Sequence, residues 1–187
     1  MTVTGNIATL ITIVFGLMLT DLFASVHRLI RNRRRVRWHW LPLLVAWYML
    51  TTVLKNWWGL VIHDGGGVWA SGWMFFFYGH LLLLLYLAAS AVLPDEIPAD
   101  GLDLREFYID NRRHFWGLLA GVALTMLIFT LLLPAFTELP LNWPAVWSNI
   151  VFGATALSLA YVRRIGYHAV VVVVSVTLVT AELFAKF

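Results

Sequence analysis

Residues 5–29, GNIATLITIVFGLMLTDLFASVHRL, run directly into residues 30–37, IRNRRRVR, and this junction decides the fold. About 20 apolar residues are enough for a helix to cross the hydrocarbon core of a bilayer. The arginine cluster that stops the run marks the cytoplasmic flank of such a helix, because positive charge is retained on that side. No positive charge precedes the stretch and no small-residue cleavage site follows it. It therefore reads as a reverse anchor kept in the mature chain, not a cleaved signal.

Working outward, the same pattern fills the chain. Hydrophobic residues make up 61% of it and charged residues 12%. Six apolar stretches are long enough to be spans, at about 5–29, 41–62, 68–93, 114–135, 145–162 and 167–186. The fifth is the shortest and is interrupted by Ser148 and Asn149. The run Val170–Val174 would suit a strand in water, but a lipid environment and the segment length favour helix. The expectation is a single domain over 1–187: an all-α polytopic membrane helix bundle with six transmembrane helices.

The arginines set the orientation. All 11 of them (Arg28, Arg31, Arg33, Arg34, Arg35, Arg37, Arg105, Arg112, Arg113, Arg163 and Arg164) fall on one side of a six-span arrangement. That side is then cytoplasmic and both termini are non-cytoplasmic. A bacterial inner membrane is the expected location. Cysteine is absent, so disulfides, thiolate metal sites and thiol nucleophiles are excluded. The pI near 9.5 comes from arginines that hug membrane boundaries, which points to anionic lipid and not to nucleic acid. Arg31, Arg33, Arg34, Arg35 and Arg37 are the candidates for headgroup contact or docking.

The loops are short apart from Pro94–Arg113, which holds six of the ten acidic residues. Leu104, Phe107, Tyr108 and Asn111 have helical spacing, so about 101–113 is expected as a cytoplasmic amphipathic helix at the interface. Its acidic face can meet the Arg31–Arg37 loop, either as simple docking of two loops or as a partner-binding surface. His63 and Asp64, before three glycines, are weak metal candidates, since a metal needs three or four converging ligands. Trp38, Trp40, Trp69, Trp116 and Trp143 cluster near predicted boundaries as interface anchors.

Inside the membrane, helix one carries Thr9, Thr12, Gly16, Thr20, Ala24 and His27 at spacings of three or four. This small and polar stripe is expected to pack inward. Asp21 flanks it, either paired with Arg28 or lining a polar path. A charge in the hydrocarbon zone costs roughly 2.5–3.5 kcal/mol unless something offsets it. Lys55 and Asn56 follow in helix two. Lys55 and Glu182 fall at similar depth, which makes them the expected ion pair, against snorkelling of Lys55 or a Glu182–Lys186 contact. Gly117 and Gly121, and Ala156 and Ala160, have packing spacings.

His80 lies mid-span, but haem there is disfavoured because no second histidine shares its depth. No cofactor is expected, no catalytic constellation can be assembled, and an enzyme is not the favoured class. The leading expectation is a small channel or transporter moving protons, ions or a small solute. Asp21, Lys55, His80, Glu182, Asn56 and Thr20 would line its polar seam. The alternative is a non-catalytic assembly, scaffold or sensor subunit, with lipid, a second copy or a membrane subunit as partner.

Overall fold

The computed structural model describes residues 3–62, 72–137 and 139–185. Among them are six helices: α1 (Val3–Arg31), α2 (Trp40–Ile62), α3 (Gly72–Ala91), α4 (Leu104–Phe136), α5 (Trp143–Tyr161) and α6 (Ile165–Ala185). Two-residue strands, β1 (Val36–Arg37) and β2 (Leu102–Asp103), lie between them. The chain is thus all-α, as its apolar runs imply.

Local chemistry explains the boundaries. Arg28 and Arg31 sit in the last turn of α1, where cations meet the negative end of the helix dipole. The Asn32 amide then donates to the Arg28 carbonyl at 2.9 Å. Pro42 falls in the first turn of α2, where no amide is missed. The α4 N-cap is Asp103, whose carboxylate accepts from the Arg105 and Glu106 amides. Asn142 caps α5 in the same way.

Four helices, α1, α3, α4 and α6, are long and apolar enough to cross a membrane. The expectation of six is narrowed to these four by composition alone. The central helix α2 carries Tyr48, Thr51, Thr52, Lys55 and Asn56, while α5 has only 19 residues and includes Ser148 and Asn149. The segment expected to be amphipathic is helical from Leu104 and feeds directly into α4. Residues 104–113 run into α4 without a break, because nothing between the Asp103 cap and Pro134 interrupts the backbone ladder.

In the packing, α4 lies against α3 and α5, and α3 lies against α1. Helix α2 touches α1, α3, α4 and α6, so its polar positions face protein more than surroundings. Met18, Met49, Leu85, Leu119 and Leu159 are among the fully buried side chains. Gly121 lets Leu84 of α3 approach, and a Cβ at Gly153 would stand 3.3 Å from that of Ala123. Gly117, by contrast, faces open space. Between helices such close approach replaces the hydrophobic sorting that water would supply.

One end of the bundle gathers the arginines. There β1 pairs in parallel with β2 (Val36 with Leu102, Arg37 with Asp103), and Leu102 N donates to Arg35 O at 2.9 Å. Arg28 bonds Asp95 at 3.0 Å, and Arg37 lies 3.6 Å from Asp103. Gly101 makes the close approach possible: its φ is +103°, and a Cβ there would stand 2.9 Å from Arg35 O. The acidic and arginine-rich loops therefore dock, through Asp95 and through Asp103 at the start of α4.

The outward face of α1 is a correction. Ile11, Phe15, Met18, Leu22, Ser25 and Leu29 are buried, whereas Thr9, Thr12, Gly16, Thr20 and His27 are exposed. The small and polar stripe faces away from the bundle, because the bulky side chains of the opposite face fill the space against α2 and α3.

Candidate functional site

The polar groups that the fold does bring together lie along α2, α4 and α6. At the end away from the arginines, Lys55 Nζ donates to Glu182 Oε2, tying α2 to α6. Tyr48 and Thr52 precede Lys55 by two turns and one, and Glu182 lies within electrostatic reach of the Tyr48 hydroxyl. Thr52 lies beside the Tyr48 hydroxyl, and Thr52 Oγ1 is buried. Asn56 turns back to the Thr52 carbonyl at 2.8 Å.

Toward the arginine end, the Tyr48 ring meets Trp116, with centroids 6.3 Å apart. Trp116 Nε1 donates to Tyr108 Oη at 3.1 Å, and Tyr108 Oη lies 2.7 Å from His168 Nδ1. His168 Nε2 lies 2.8 Å from the Val162 carbonyl. A carbonyl can only accept, so Nε2 carries the imidazole proton and Nδ1 accepts from the Tyr108 hydroxyl. The Tyr108 oxygen accepts from Trp116 in turn. Every donor in this chain meets an acceptor, and His168 is 0% exposed. Such a network joins α4, α6 and the turn after α5 into one unit.

Beside it lies Arg112, only 3% exposed. One guanidinium nitrogen donates to the Ile109 carbonyl, one turn back, while Nε is buried without a partner. Arg163, Arg113 and the exposed Asp110 are the charged groups in its surroundings. Arg113 itself lies 5.8 Å from the centre of the Tyr161 ring.

Other residues singled out in the sequence are not brought to this seam. Asp21 is half-buried and forms no ion pair among the described residues. Its expected partner Arg28 bonds Ser25 and Asp95 instead. Thr20 is exposed and bonds the Gly16 carbonyl of its own helix at 2.8 Å. His80 is exposed on the outward side of α3. Arg31, Arg33, Arg34, Arg35 and Arg37 are all exposed. His63, Asp64, Trp69 and Lys186 lie outside the described residues. Among those described, no three histidine, aspartate or glutamate side chains converge on a metal-sized space.

Sequence reasoning missed Tyr108, Arg112, Trp116 and His168. Trp116 is a buried donor, not an interface anchor. His168 follows Arg163 and Arg164 and so looks like a loop residue. The one available signal was an Arg, a Tyr and a Trp at four-residue spacing (108, 112, 116), which puts all three on one face of α4. No protein-family model, curated protein or solved structure matches the chain.

Proposed function

We propose that the protein is a six-span membrane subunit that assembles in the bilayer through α1, with a second copy of the chain as its partner. The count of six is supported by parity. The β1–β2 pairing and the Arg28–Asp95 bond require residues 31–37 and 94–103 to share one side. Between them lie α2 and α3, so both cross or neither does, and α3 is apolar enough to cross. The Tyr108–His168 bond makes the same demand of α4 and α5. The arginine end is then cytoplasmic, both termini are on the other side, and the inner membrane of a bacterium is the setting. The exposed Arg31, Arg33, Arg34 and Arg35 collectively face anionic headgroups, with Trp38 and Trp40 alongside at the interface.

The outward stripe of α1 carries the assembly reading. Thr12, Gly16, Thr20 and Ala24 recur every four residues, and nothing lies within 4 Å of a Cβ placed on Gly16. Exposed Ile13, Leu17 and Phe23 wall the stripe, leaving a shallow groove with glycine on its floor. Small residues at this spacing let two helix backbones approach closely in lipid. The groove is self-complementary in a parallel pair about a two-fold axis, with Gly16 opposite Gly16. Light scattering of the detergent-solubilised protein tests this. The wild type is expected to be a dimer, and Gly16→Leu and Thr20→Leu monomers. A monomeric wild type rejects self-assembly, and a different protein held at α1 replaces the second copy as occupant.

A second reading, proton- or ion-linked transport, is favoured by the seam from Lys55 and Glu182 through Thr52 and Tyr48. It requires liposome flux that is lost in Lys55→Met.

A further inference from the structure

The two loops at the arginine end enclose a space that the assembly reading does not use. Parallel pairing sets Val36 against Leu102 and Arg37 against Asp103. The backbone around that pairing is held on both sides. Arg35 N donates to Asn32 O at 2.8 Å, Arg35 O accepts from Leu102 N at 2.9 Å, and Gly101 N donates to Pro98 O at 3.1 Å. Two residues before the paired ones, Arg34 and Asp100 flank one cavity of about 470 Å³, together with Arg35 and Arg37. That volume falls in the range that small-molecule sites occupy. Arg37 and Asp103 lie 3.6 Å apart and offset each other. Arg34, Arg35 and Asp100 are exposed and form no ion pair among the described residues. The cavity thus keeps two free guanidiniums and one free carboxylate. Neighbouring cavities around the first turns of α4 lack this balance, because Asp103, Glu106 and Asp110 line both and neither Arg34 nor Arg35 reaches them.

We propose that this cavity binds the zwitterionic headgroup of phosphatidylethanolamine, its phosphate on Arg34 and Arg35 and its ammonium on Asp100. Guanidinium forks meet phosphate oxygens in pairs. A primary ammonium brings N–H donors, which a carboxylate accepts. A purely anionic ligand would set its charge against Asp100, and a purely cationic one would meet the arginines. A zwitterion answers both signs at once. The cavity lies between the end of α1 and the exposed Trp38 and Trp40 at the start of α2, which marks headgroup level. Recognition of this kind rests on the proposed orientation, with the arginine end at the cytoplasmic leaflet, and narrows its general headgroup contact to one lipid class.

The full-length protein in a neutral detergent provides the test. Phosphatidylethanolamine, phosphatidylcholine and phosphatidylglycerol are mixed singly into the micelle. Native mass spectrometry counts the lipid retained per chain, and thermal unfolding reads its effect. The first two lipids share a phosphate and a net charge but differ at the amine, since a trimethylammonium has no N–H to donate. Phosphatidylethanolamine is expected to bind about tenfold tighter than phosphatidylcholine, the equivalent of one charge-assisted contact. Asp100→Ala should abolish that preference. Its ligand-free unfolding midpoint should stay that of the wild type, because the carboxylate is exposed and unpaired. Arg34→Ala should weaken both zwitterions alike, whereas Arg164→Ala, an exposed arginine outside the cavity, should change neither. Glycerophosphoethanolamine without acyl chains separates the sources: stabilisation equal to the lipid's assigns a free zwitterion, and stabilisation by the lipid alone assigns the membrane headgroup. Equal binding of phosphatidylethanolamine and phosphatidylcholine, or a preference that survives Asp100→Ala, rejects the site. If phosphatidylglycerol still binds in that case, the general contact with anionic headgroups stands without it; if no lipid binds, both fall.

Discussion

The Lys55–Glu182 pair shows what a single residue can and cannot reveal from sequence. Lys55 lies 15 residues beyond the start of α2 (Trp40) and Glu182 17 beyond that of α6 (Ile165), both counted from the same end, so the 1.5 Å rise per residue was enough to match their depths. Depth says nothing about azimuth, however. Asp21 and His80 are also mid-span, yet one is half-buried without an ion pair and the other faces outward. His168 was hidden for a different reason: its partner Tyr108 is 60 residues away, and only the packing of α6 on the bundle brings them together. The pair also makes a prediction. In a low-dielectric setting, removing one partner strands the other charge, so Lys55→Met is expected to cost about 1–3 kcal/mol. Adding Glu182→Gln to that variant should restore most of the loss. A double-mutant cycle of unfolding in detergent measures this, and additive losses would mean that the two groups do not stabilise each other.

At the scale of elements, helix ends are set by local chemistry and helix faces are not. Caps and prolines act locally, so Asp103, Asn142 and Pro42 mark their helices whatever packs nearby. Faces depend on neighbours, and in lipid an apolar side chain gains little by turning inward. That is why the stripe of α1 was expected inside and lies outside. The Asp103 cap can be tested directly. Asp103→Ala should destabilise the start of α4 by about 0.5–2 kcal/mol and loosen the β1–β2 contact. The Asp103 carboxyl is held below the ordinary aspartate value near 3.8, first by the Glu106 amide, then by the Arg105 amide and the Arg37 and Arg105 guanidiniums. A depressed folded value stabilises the charged form, so the contribution is complete above the ordinary value. It fades as the pH falls through the lower, folded one. Because the group is only partly buried and still meets solvent, the electrostatic part is small. Amide hydrogen exchange across residues 104–108 should therefore quicken in acid in the wild type, with Asp103→Ala already fast at neutral pH.

Across the whole molecule, composition and contact geometry disagree about α2 and α5, and the proposed six spans follow the geometry. Polar residues lower the apolarity of α2 because it is the central helix, screened by four others; a helix so placed needs no uniformly apolar surface. With only α1, α3, α4 and α6 crossing, residues 34 and 100 would face opposite compartments, and β1 could not pair with β2. The chain contains no cysteine, so single cysteines can report sidedness without background. Arg34→Cys, Asp100→Cys and Arg164→Cys should all be shielded from an impermeant thiol reagent in intact cells and react after permeabilisation. Leu139→Cys, at the opposite end between α4 and α5, should react from outside. A four-span arrangement predicts something different: residues 34 and 100 would label from opposite sides, and residues 139 and 164 from the same one. Because the two arrangements disagree at both pairs, an error in one variant cannot imitate the other topology.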